Sequence, residues 1–338
     1  MLQLGYKAAS EQFGPSELLD LVSEAEQCGF DSISVSDHFH PWRNDGVACF
    51  FVWSWLGAVG ARTRRIQFGT GVTSPILRYN PAVLAEAAAT LGAMFPGRFW
   101  LGLGTGEALN DTATTGYWPG YAERRARLIE AIEIMRRLWA GEHLTYNGRY
   151  FQTRAAHVYL PPQAEIPLIV AAMGPSSARL AGRYADGWLA TGAAGSSSPY
   201  DKLMPSVDEG ARAARRDPAS VRRLIEIEVV YARDRAQGIK DARLWAGTLV
   251  RDRDKYGVYD PRDLQYYGEL FPDQMIEQNW LISDDPDQHV AVAERYIQMG
   301  FTHLFFHDPG RDQAAFLEFY GQHVLPKLRQ KYGSTQAA

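Results

Sequence analysis

The stretch from residue 99 to residue 110 reads FWLGLGTGEALN, and it joins an apolar run to a glycine-rich polar turn. Residues 99–102 are apolar without alternation, which is typical of a strand covered on both faces. The turn after them carries Glu107, a titratable group directly at the strand's end. In α/β barrels, the residues at the carboxyl ends of the strands form the active site.

The same kind of apolar run recurs along the chain. Seven further runs are predicted as strands, at residues 3–7, 32–36, 66–69, 168–171, 187–190, 225–231 and 303–307. Segments with a period near 3.6 lie between them and predict helices at residues 16–28, 82–95, 121–140, 176–184, 286–299 and 313–331. Gly29 and Gly300 follow two of these segments as helix stops. This eightfold repeat predicts an α/β fold, a closed parallel (β/α)8 TIM barrel.

Two stretches do not fit the repeat. Residues 141–166, after the fourth strand, contain NGRYF and a Pro161–Pro162 pair, so we expect a hairpin or loop insertion. Residues 232–283, after the seventh strand, are charged and aromatic, and we expect an irregular lid or binding loop. No linker or second core is evident, so residues 1–338 are predicted to form one domain.

The bulk composition excludes several classes of protein. The 338 residues are 46% hydrophobic with a net charge of -4, and no basic stripe suggests a nucleic-acid partner. No apolar run approaches the ~18 residues of a membrane-spanning helix. Cys28 and Cys49 form neither a disulfide framework nor a zinc pattern. Without a secretory signal pattern at the start, we expect a cytoplasmic protein.

The loop after the second strand carries the first candidate for proton transfer. His38 is flanked by Asp37, and an imidazole is the usual general base near neutral pH. Asp37 could orient His38, or it could cap the segment that follows. His40 is the competing candidate for the same role, and a purely structural His38 is the remaining alternative.

Glu107 is the second candidate. Gly104 and Gly106 would let the backbone approach a ligand closely. A carboxylic acid partly shielded from water has a raised pKa and can deliver a proton, so His38 and Glu107 could serve two proton transfers at separate positions in one cavity. The alternative is a helix N-terminal carboxylate favoured by the helix dipole.

A phosphate site is predicted where Gly174, Pro175, Ser176 and Ser177 open a helix, because free amides and small hydroxyls suit phosphate. Simple capping by Ser176 is the alternative. No GxGxxG fingerprint supports a nicotinamide site, no histidine–carboxylate spacing supports a metal, and no GxSxG supports an acyl-transfer serine. The residues alone therefore predict a barrel with a phosphate-bearing ligand, a histidine and a carboxylate, and they name no cofactor.

A resemblance extends this interpretation. It is carried, in order along nearly the whole chain, by LGYKAASEQFGPSEL, VSDHFHPWR, FGTGVTSPILRYNP, LGLGTGEALN, AAMGP, AGRYADGWLATG, KLMP, SDDPD and FHDPGRDQAAFLEFY. These motifs resemble the luciferase-like barrel family, and within it the branch of coenzyme F420 (deazaflavin)-dependent glucose-6-phosphate and sugar-6-phosphate dehydrogenases. SDHFxPW together with GTGEALN is specific to this branch.

The resemblance implies an oxidoreductase acting on CH–OH groups. It would oxidise glucose-6-phosphate or a related hexose phosphate to the lactone, with the hydride passing to C5 of F420, and it would be a homodimer. The alternatives are an F420-dependent dehydrogenase of a neutral sugar or alcohol, a flavin-dependent monooxygenase of the same family, and a non-catalytic deazaflavin or sugar carrier.

The resemblance also assigns roles to residues. His38 would take the hydroxyl proton, Glu107 would protonate the reduced ring, Trp42 would stack near the reacting centre, and Glu11 would lie near the substrate. The family's non-proline cis peptide would be Gly71–Val72. The implied cofactor pocket comprises Asp37, Gly71, Val72, Ser74, Thr105, Gly106, Asn110, Gly174, Pro175, Ser176 and Ser177.

The substrate-phosphate pocket departs from the family. Of two lysines and an arginine, only Lys255 is retained, while Ala194 and Asn279 stand at the other two positions. Losing two charge-assisted contacts, at about 1.5–3 kcal/mol each, would weaken phosphate binding. Substrate contacts are expected from Trp42, Thr191, Ser196, Lys255 and Asn279.

Two explanations of this departure stay open. In the first, other residues rebuild an anion site, namely Thr191, Ser196, Ser197, Ser198 and Arg251 or Arg253. In the second, the substrate is another sugar phosphate, a neutral sugar or a simple alcohol. The serine run could equally be a flexible loop, and residues 251–254 a solvated turn.

Overall fold

The structure is a computed structural model, and it describes residues 2–192, 200–250 and 257–333. Within these ranges, no helix is both long and apolar enough to cross a membrane.

Eight parallel strands close into a barrel, which confirms the predicted fold. Strands β1 to β6 pair in sequence, β7 joins β6 to β9, and β9 pairs with β1. A further strand, β8, pairs only with the end of β7 and lies outside the barrel. The strands are β1 Gln3–Ala8, β2 Ser32–Val35, β3 Gln67–Thr70, β4 Phe99–Leu103, β5 Leu168–Ala171, β6 Gly187–Gly192, β7 Arg222–Tyr231, β8 Leu281–Ser283 and β9 His303–His307.

Helices surround the barrel, and the two predicted stops are confirmed, with φ of 96° at Gly29 and 100° at Gly300. One π turn, Tyr320–Val324, joins the last two helices. The helices are α1 Pro15–Gln27, α2 Val52–Arg62, α3 Pro81–Met94, α4 Ala108–Thr115, α5 Tyr121–Trp139, α6 Pro175–Tyr184, α7 Tyr200–Ala213, α8 Arg235–Arg243, α9 Pro261–Leu270, α10 Asp273–Asn279, α11 Pro286–Gln298, α12 Gln313–Phe319 and α13 Leu325–Tyr332.

The barrel interior is filled in layers, because alternate residues of each strand point inward. Its lower layer is an apolar plug formed by Trp100, Ile169, Leu189, Leu224 and Phe305. Gly69 makes room for the plug, since a Cβ there would lie 2.2 Å from the carbonyl oxygen of Trp100. Burying each large side chain contributes roughly 1.5–3 kcal/mol. The plug therefore gives the upper half of the barrel a closed floor.

The two insertions differ in outcome. The predicted hairpin after β4 is confirmed by antiparallel bridges between Leu144 and Ala156 and between Asn147 and Gln152. The expectation of an irregular segment at residues 232–283 is wrong, because its described part holds α8, α9, α10 and β8. Asp234 and Asp260 accept from backbone amides at the starts of α8 and α9, so local capping supports these short helices.

Candidate active site

A cavity of about 850 Å³ opens at the carboxyl ends of the barrel strands. All predicted site residues that the structure describes line it, although they come from distant parts of the chain: Glu11, Asp37, His38, Trp42, Gly71, Val72, Ser74, Thr105, Gly106, Glu107, Asn110, Gly174, Pro175, Ser176, Ser177, Thr191 and Asn279. Ser196 and Lys255 lie outside the described residues, as do Ala194, Ser197, Ser198, Arg251 and Arg253. The structure thus brings the described candidates together, and their individual roles stay predictions.

His38 lies at the centre of this group. Its Nε2 is 3.4 Å from Oε2 of Glu107, and its Nδ1 is 3.6 Å from Oε1 of Glu11. Nδ1 is also 3.1 Å from the carbonyl oxygen of His40, so the tautomer protonated at Nδ1 can donate there. The ring of Trp42 lies 5.2 Å away, centroid to centroid. In this tautomer Nε2 carries the lone pair of a potential base, and it faces Glu107.

Glu11 stands behind the imidazole as a buried carboxylate. Burial alone would raise its pKa, but the facing charges of His38 and Lys7 outweigh this effect, so the pKa of Glu11 is lowered. Ser10 donates to its Oε2 at 3.2 Å. An ionised carboxylate in this position stabilises positive charge on the neighbouring ring.

Glu107 is less shielded than the sequence predicted, since its side chain is 42% exposed. It occupies the N-cap position of α4 without making a side-chain capping bond, and its carboxylate lies against His38 instead. We expected the two side chains at separate positions, but they are direct neighbours. Exposure allows Glu107 to exchange a proton with solvent, because a group in contact with water needs no internal relay.

Asp37 fixes the loop after β2, and this is where its carboxylate is engaged. It accepts from Thr73 Oγ1 at 2.8 Å, from Tyr79 OH at 2.9 Å and from Trp53 Nε1 at 3.2 Å. Arg78 donates to the Asp37 carbonyl oxygen at 2.6 Å. Among the described residues, these bonds hold the loop that carries His38, and none of them reaches the His38 ring.

Asn110 connects the two loops that carry the proton-transfer candidates. Its Oδ1 accepts from the backbone amides of Phe39 and His40, at 2.8 and 3.0 Å. Its Nδ2 donates to Oε2 of Glu107 at 3.4 Å. One amide thus holds the loop after β2 in register with α4.

Asp111, which the sequence did not single out, is fully buried beside Glu107. Its Oδ2 accepts from the Glu107 amide at 3.1 Å, and burial raises the pKa of Asp111 to about 6. Gly106 packs against it with φ of 71°, and a Cβ there would lie 2.2 Å from Asp111 Oδ2. The sequence signal for Asp111 was its position directly after Asn110 in the motif GTGEALND.

The Gly71–Val72 peptide is cis, as predicted. Lys7 donates to the Gly71 carbonyl oxygen at 3.2 Å from below. A Cβ on Gly71 would lie 2.0 Å from Ser34 Oγ. Close backbone packing against the cavity is therefore possible here only without a side chain.

The start of α6 also faces the cavity. Gly174 is the N-cap residue, and no side chain caps the helix, so the alternative of capping by Ser176 is wrong. Ser177 donates to the Gly174 carbonyl oxygen at 3.0 Å. Amides in the first turn of an uncapped helix can bind an anion.

The cavity floor holds charged residues that the sequence analysis left within its predicted strands. Lys7 Nζ lies 2.8 Å from Ser36 Oγ and 3.0 Å from Oε2 of Glu226. Burial alone would lower the pKa of Lys7, but the carboxylates of Glu226 and Glu11 outweigh it, and the pKa is raised. Glu228, further along β7, contacts His307. The available signal was a set of charges spaced two residues apart inside apolar strands.

Comparison with known proteins decides the family. The luciferase-like monooxygenase family matches residues 2–303. This chain belongs to the luciferase-like family.

Several luciferase-like relatives are similar along their whole length. The F420-dependent glucose-6-phosphate dehydrogenase 2 of Rhodococcus jostii (strain RHA1) is 46% identical over 330 residues, which cover 97% of this chain and 98% of that protein. The F420-dependent glucose-6-phosphate dehydrogenase of Nakamurella multipartita is 44% identical over 332 residues, covering 98% of each chain. A solved F420-dependent secondary alcohol dehydrogenase, in complex with an F420–acetone adduct, has a TM-score of 0.91 and 35% identity, covering 96% of this chain and 98% of its own.

Of the residues expected to contact the substrate, Trp42, Thr191 and Asn279 are described. The carbonyl oxygen of Thr191 accepts from the hydroxyl of Tyr200, and Asn279 donates back to the Met275 carbonyl oxygen at 2.8 Å, within α10. Among the described lysines and arginines of the lining, Lys7 pairs with Glu226, Arg78 binds the Asp37 carbonyl oxygen, and Arg124 donates to the Thr105 carbonyl oxygen. Each of these cations is already engaged with the protein.

Proposed function

We propose that this protein is an F420-dependent dehydrogenase that oxidises a hexose 6-phosphate to its lactone. The observation that carries the proposal is the meeting of His38 and Glu107 at 3.4 Å in a cavity lined by the other described residues of the family motifs. Full-length relatives at 43–46% identity, named as F420-dependent glucose-6-phosphate dehydrogenases, support the same activity and cofactor.

The residues present fit a deazaflavin. Gly71, Gly104 and Gly106 leave backbone, not side chains, along one wall of the cavity. Added side chains there would collide with Ser34, Val72 and Asp111, respectively. The uncapped start of α6 suits the cofactor's phosphate. When bound, F420 supplies hydride chemistry by accepting a hydride at C5 of its deazaflavin.

His38 is proposed as the general base. Oxidation of the anomeric carbon removes a hydride from carbon and a proton from its hydroxyl, and Nε2 of His38 can take that proton. Glu11, ionised and 3.6 Å from Nδ1, stabilises the charge that the imidazole acquires. Trp42 packs against one side of the imidazole, with the ring centroids 5.2 Å apart.

Glu107 is proposed to hold the proton that the cofactor takes up when it is reduced. Asn110 fixes its Oε2 at 3.4 Å, and its exposed carboxylate can exchange that proton with solvent. Asp37 is proposed as a positioning residue, since its own contacts anchor the loop that carries His38.

A second candidate is an F420-dependent dehydrogenase of a neutral sugar or alcohol. Two observations favour it: the similarity to the secondary alcohol dehydrogenase and the engagement of the described cations in the lining. We place the hexose phosphate first because the relatives with higher identity act on glucose-6-phosphate by name.

We also propose a single domain and, from the family resemblance, a homodimer.

The test compares two histidine variants on one substrate panel. We expect glucose-6-phosphate or mannose-6-phosphate to bleach the absorbance of oxidised F420, ahead of free glucose and isopropanol. Fructose-6-phosphate should not react, because its anomeric carbon carries no hydrogen that could leave as hydride. His38→Ala should lower kcat by about 10²- to 10⁴-fold, because general-base catalysis contributes that much. His40→Ala is the matched control and should stay within about threefold of the parent, an estimate for a residue outside the cavity lining.

Two results would contradict the proposal. Preferential binding of FMN over F420 would exclude the cofactor, and unchanged turnover in His38→Ala would exclude the base. Oxidation of isopropanol or free glucose alone would transfer the proposal to the second candidate.

A further inference from the structure

Glu228 belongs to the floor of the cavity, and His307 lies fully buried beside it. Leu224 of β7 and Phe305 of β9 are part of the apolar plug. Because alternate residues of a strand face the same side, Glu226 and Glu228 of β7 and His307 of β9 also point into the barrel. The register pairs Glu228 directly with His307. The two side chains therefore form a polar layer immediately above the plug.

The histidine is held rigidly in this layer. Its Nδ1 is 2.7 Å from Oε2 of Glu228, and its side chain is fully buried. The ring of Trp245 packs edge-on against it at 4.3 Å, and Trp245 is itself fixed by a bond from Nε1 to Oε1 of Gln12 at 2.8 Å. The imidazole is therefore fixed by packing, and it holds Oε2 of Glu228 through their shared contact.

Each floor carboxylate has its own buried cation. Lys7 pairs with Glu226, and His307 pairs with Glu228. Burial alone would lower the pKa of His307, but the charge of Glu228 outweighs it and the pKa is raised, so the imidazolium form is favoured. Glu226, Glu228 and His307 could place ligand atoms within 4.8 Å of one another, but these two protein cations already balance the two carboxylates.

Glu228 keeps one oxygen for the cavity. It lines the cavity with 15% of its side chain exposed, and His307 is its one hydrogen-bond donor among the described residues. An ionised carboxylate can only accept, and charge-assisted bonds from hydroxyl groups are its strongest neutral partners. An ionised phosphate also offers only acceptors, so this oxygen suits the hydroxyl end of a substrate.

We propose that Glu228, held in place by His307, is a specificity-determining residue that accepts hydrogen bonds from hydroxyl groups of a polyhydroxylated substrate. The inference rests on the proposed function for the identity of that substrate as a sugar phosphate. It makes the cavity select sugars over simple alcohols, because a site built to bond a hydroxyl rejects the analogue that lacks it.

The experiment combines one residue change with single-hydroxyl deletions in the substrate. Kcat/KM is measured for glucose-6-phosphate and for its 2-, 3- and 4-deoxy analogues, using the parent, Glu228→Gln and Glu228→Ala with F420. The parent should discriminate against at least one deoxy analogue by about 10- to 100-fold, the range of a charge-assisted hydrogen bond. In Glu228→Ala, the ratio of kcat/KM for glucose-6-phosphate to kcat/KM for the same deoxy analogue should fall to about threefold or less, with Glu228→Gln intermediate.

The controls separate recognition from folding. Glu209→Gln changes an exposed carboxylate paired with Arg179 and should keep the parental ratio. F420 affinity, measured by fluorescence titration, should be unchanged in all variants if they fold. Retention of the full parental ratio in a folded Glu228→Ala protein would overturn the inference.

Calorimetric binding of glucose-6-phosphate covers the case without turnover. If no sugar phosphate is oxidised, the proposed function fails, and the inference is then decided by affinity alone. Binding that is at least about tenfold weaker in Glu228→Gln supports it. Equal affinity in both proteins, or no binding to the parent, overturns it.

Discussion

Gly106 shows how a single residue without a side chain sets the geometry beside Glu107. Its φ of 71° turns the chain towards the cavity, and its Cα packs where Asp111 leaves no room for a Cβ. Gly97 has a similar φ of 74°, but nothing lies within 4 Å of a Cβ placed there. The two glycines share a backbone conformation and differ only in their surroundings.

This pair gives a matched prediction. Gly97→Ala should lose about 1–2 kcal/mol of unfolding free energy from left-handed strain. Gly106→Ala should lose more than Gly97→Ala, because its Cβ also collides with Asp111. Only Gly106→Ala should also weaken F420 binding, by roughly tenfold or more, because its Cβ displaces Asp111 and Glu107. Urea denaturation and fluorescence titration measure the two effects. Equal F420 affinity in both variants would show that Gly106 does not shape the cofactor site.

Whether the sequence reveals a site residue depends on whether that residue stands in a loop or inside a strand. His38 and Glu107 stand in polar loops after apolar runs, so they were visible from position alone. Lys7, Glu226 and Glu228 stand inside strands, where a charge looks like an interruption until the strand is known to face a cavity. Asp37 was found, but its bonds to Thr73 and Tyr79 depend on loops that no local pattern relates.

Among the elements, α1 and α6 begin in the same way and differ in what they face. Both have a glycine N-cap followed by Pro-Ser, and neither has a side-chain cap. The start of α6 lines the cavity, whereas Ser16 of α1 is exposed and absent from the lining. The common motif therefore has a binding consequence only at α6.

The element-scale prediction places a carboxylate at each start. Ser176→Asp and Ser16→Asp should each leave the helix as stable or stabilise it by about 0.3–1 kcal/mol, because an acid at a helix N-terminus favours the dipole. Ser176→Asp alone should weaken F420 binding, by roughly tenfold, through repulsion of the cofactor's phosphate. Unchanged F420 affinity in Ser176→Asp would show that the cofactor's phosphate does not bind at the start of α6.

Element prediction succeeded where apolar runs are long and failed where packing decides. All eight barrel strands were predicted to within a few residues, because strands buried on both faces are continuously apolar. β8 has three residues and is defined by its pairing with β7, so it has no long apolar run from which a strand could be predicted. In residues 232–283, charged short helices with aspartate caps were mistaken for irregular structure.

At the scale of the whole molecule, barrel closure is what assembles the site. Pairing of β9 with β1 and of β7 with β6 brings residues 11, 38, 107, 174 and 279 around one cavity. Closure was predictable from the eightfold repeat. The cavity's charge balance was not, because it depends on which inward positions pair across the floor, and part of the substrate end lies outside the described residues.

A crystal structure of the protein with F420 bound would show the reacting groups in place. The deazaflavin ring should lie against Gly71–Val72, with His38 and Glu107 within hydrogen-bond reach of the ring's reacting face, and the cofactor phosphate at the start of α6. A ring bound elsewhere, or bound in the cavity with His38 turned away from it, would contradict the proposed mechanism.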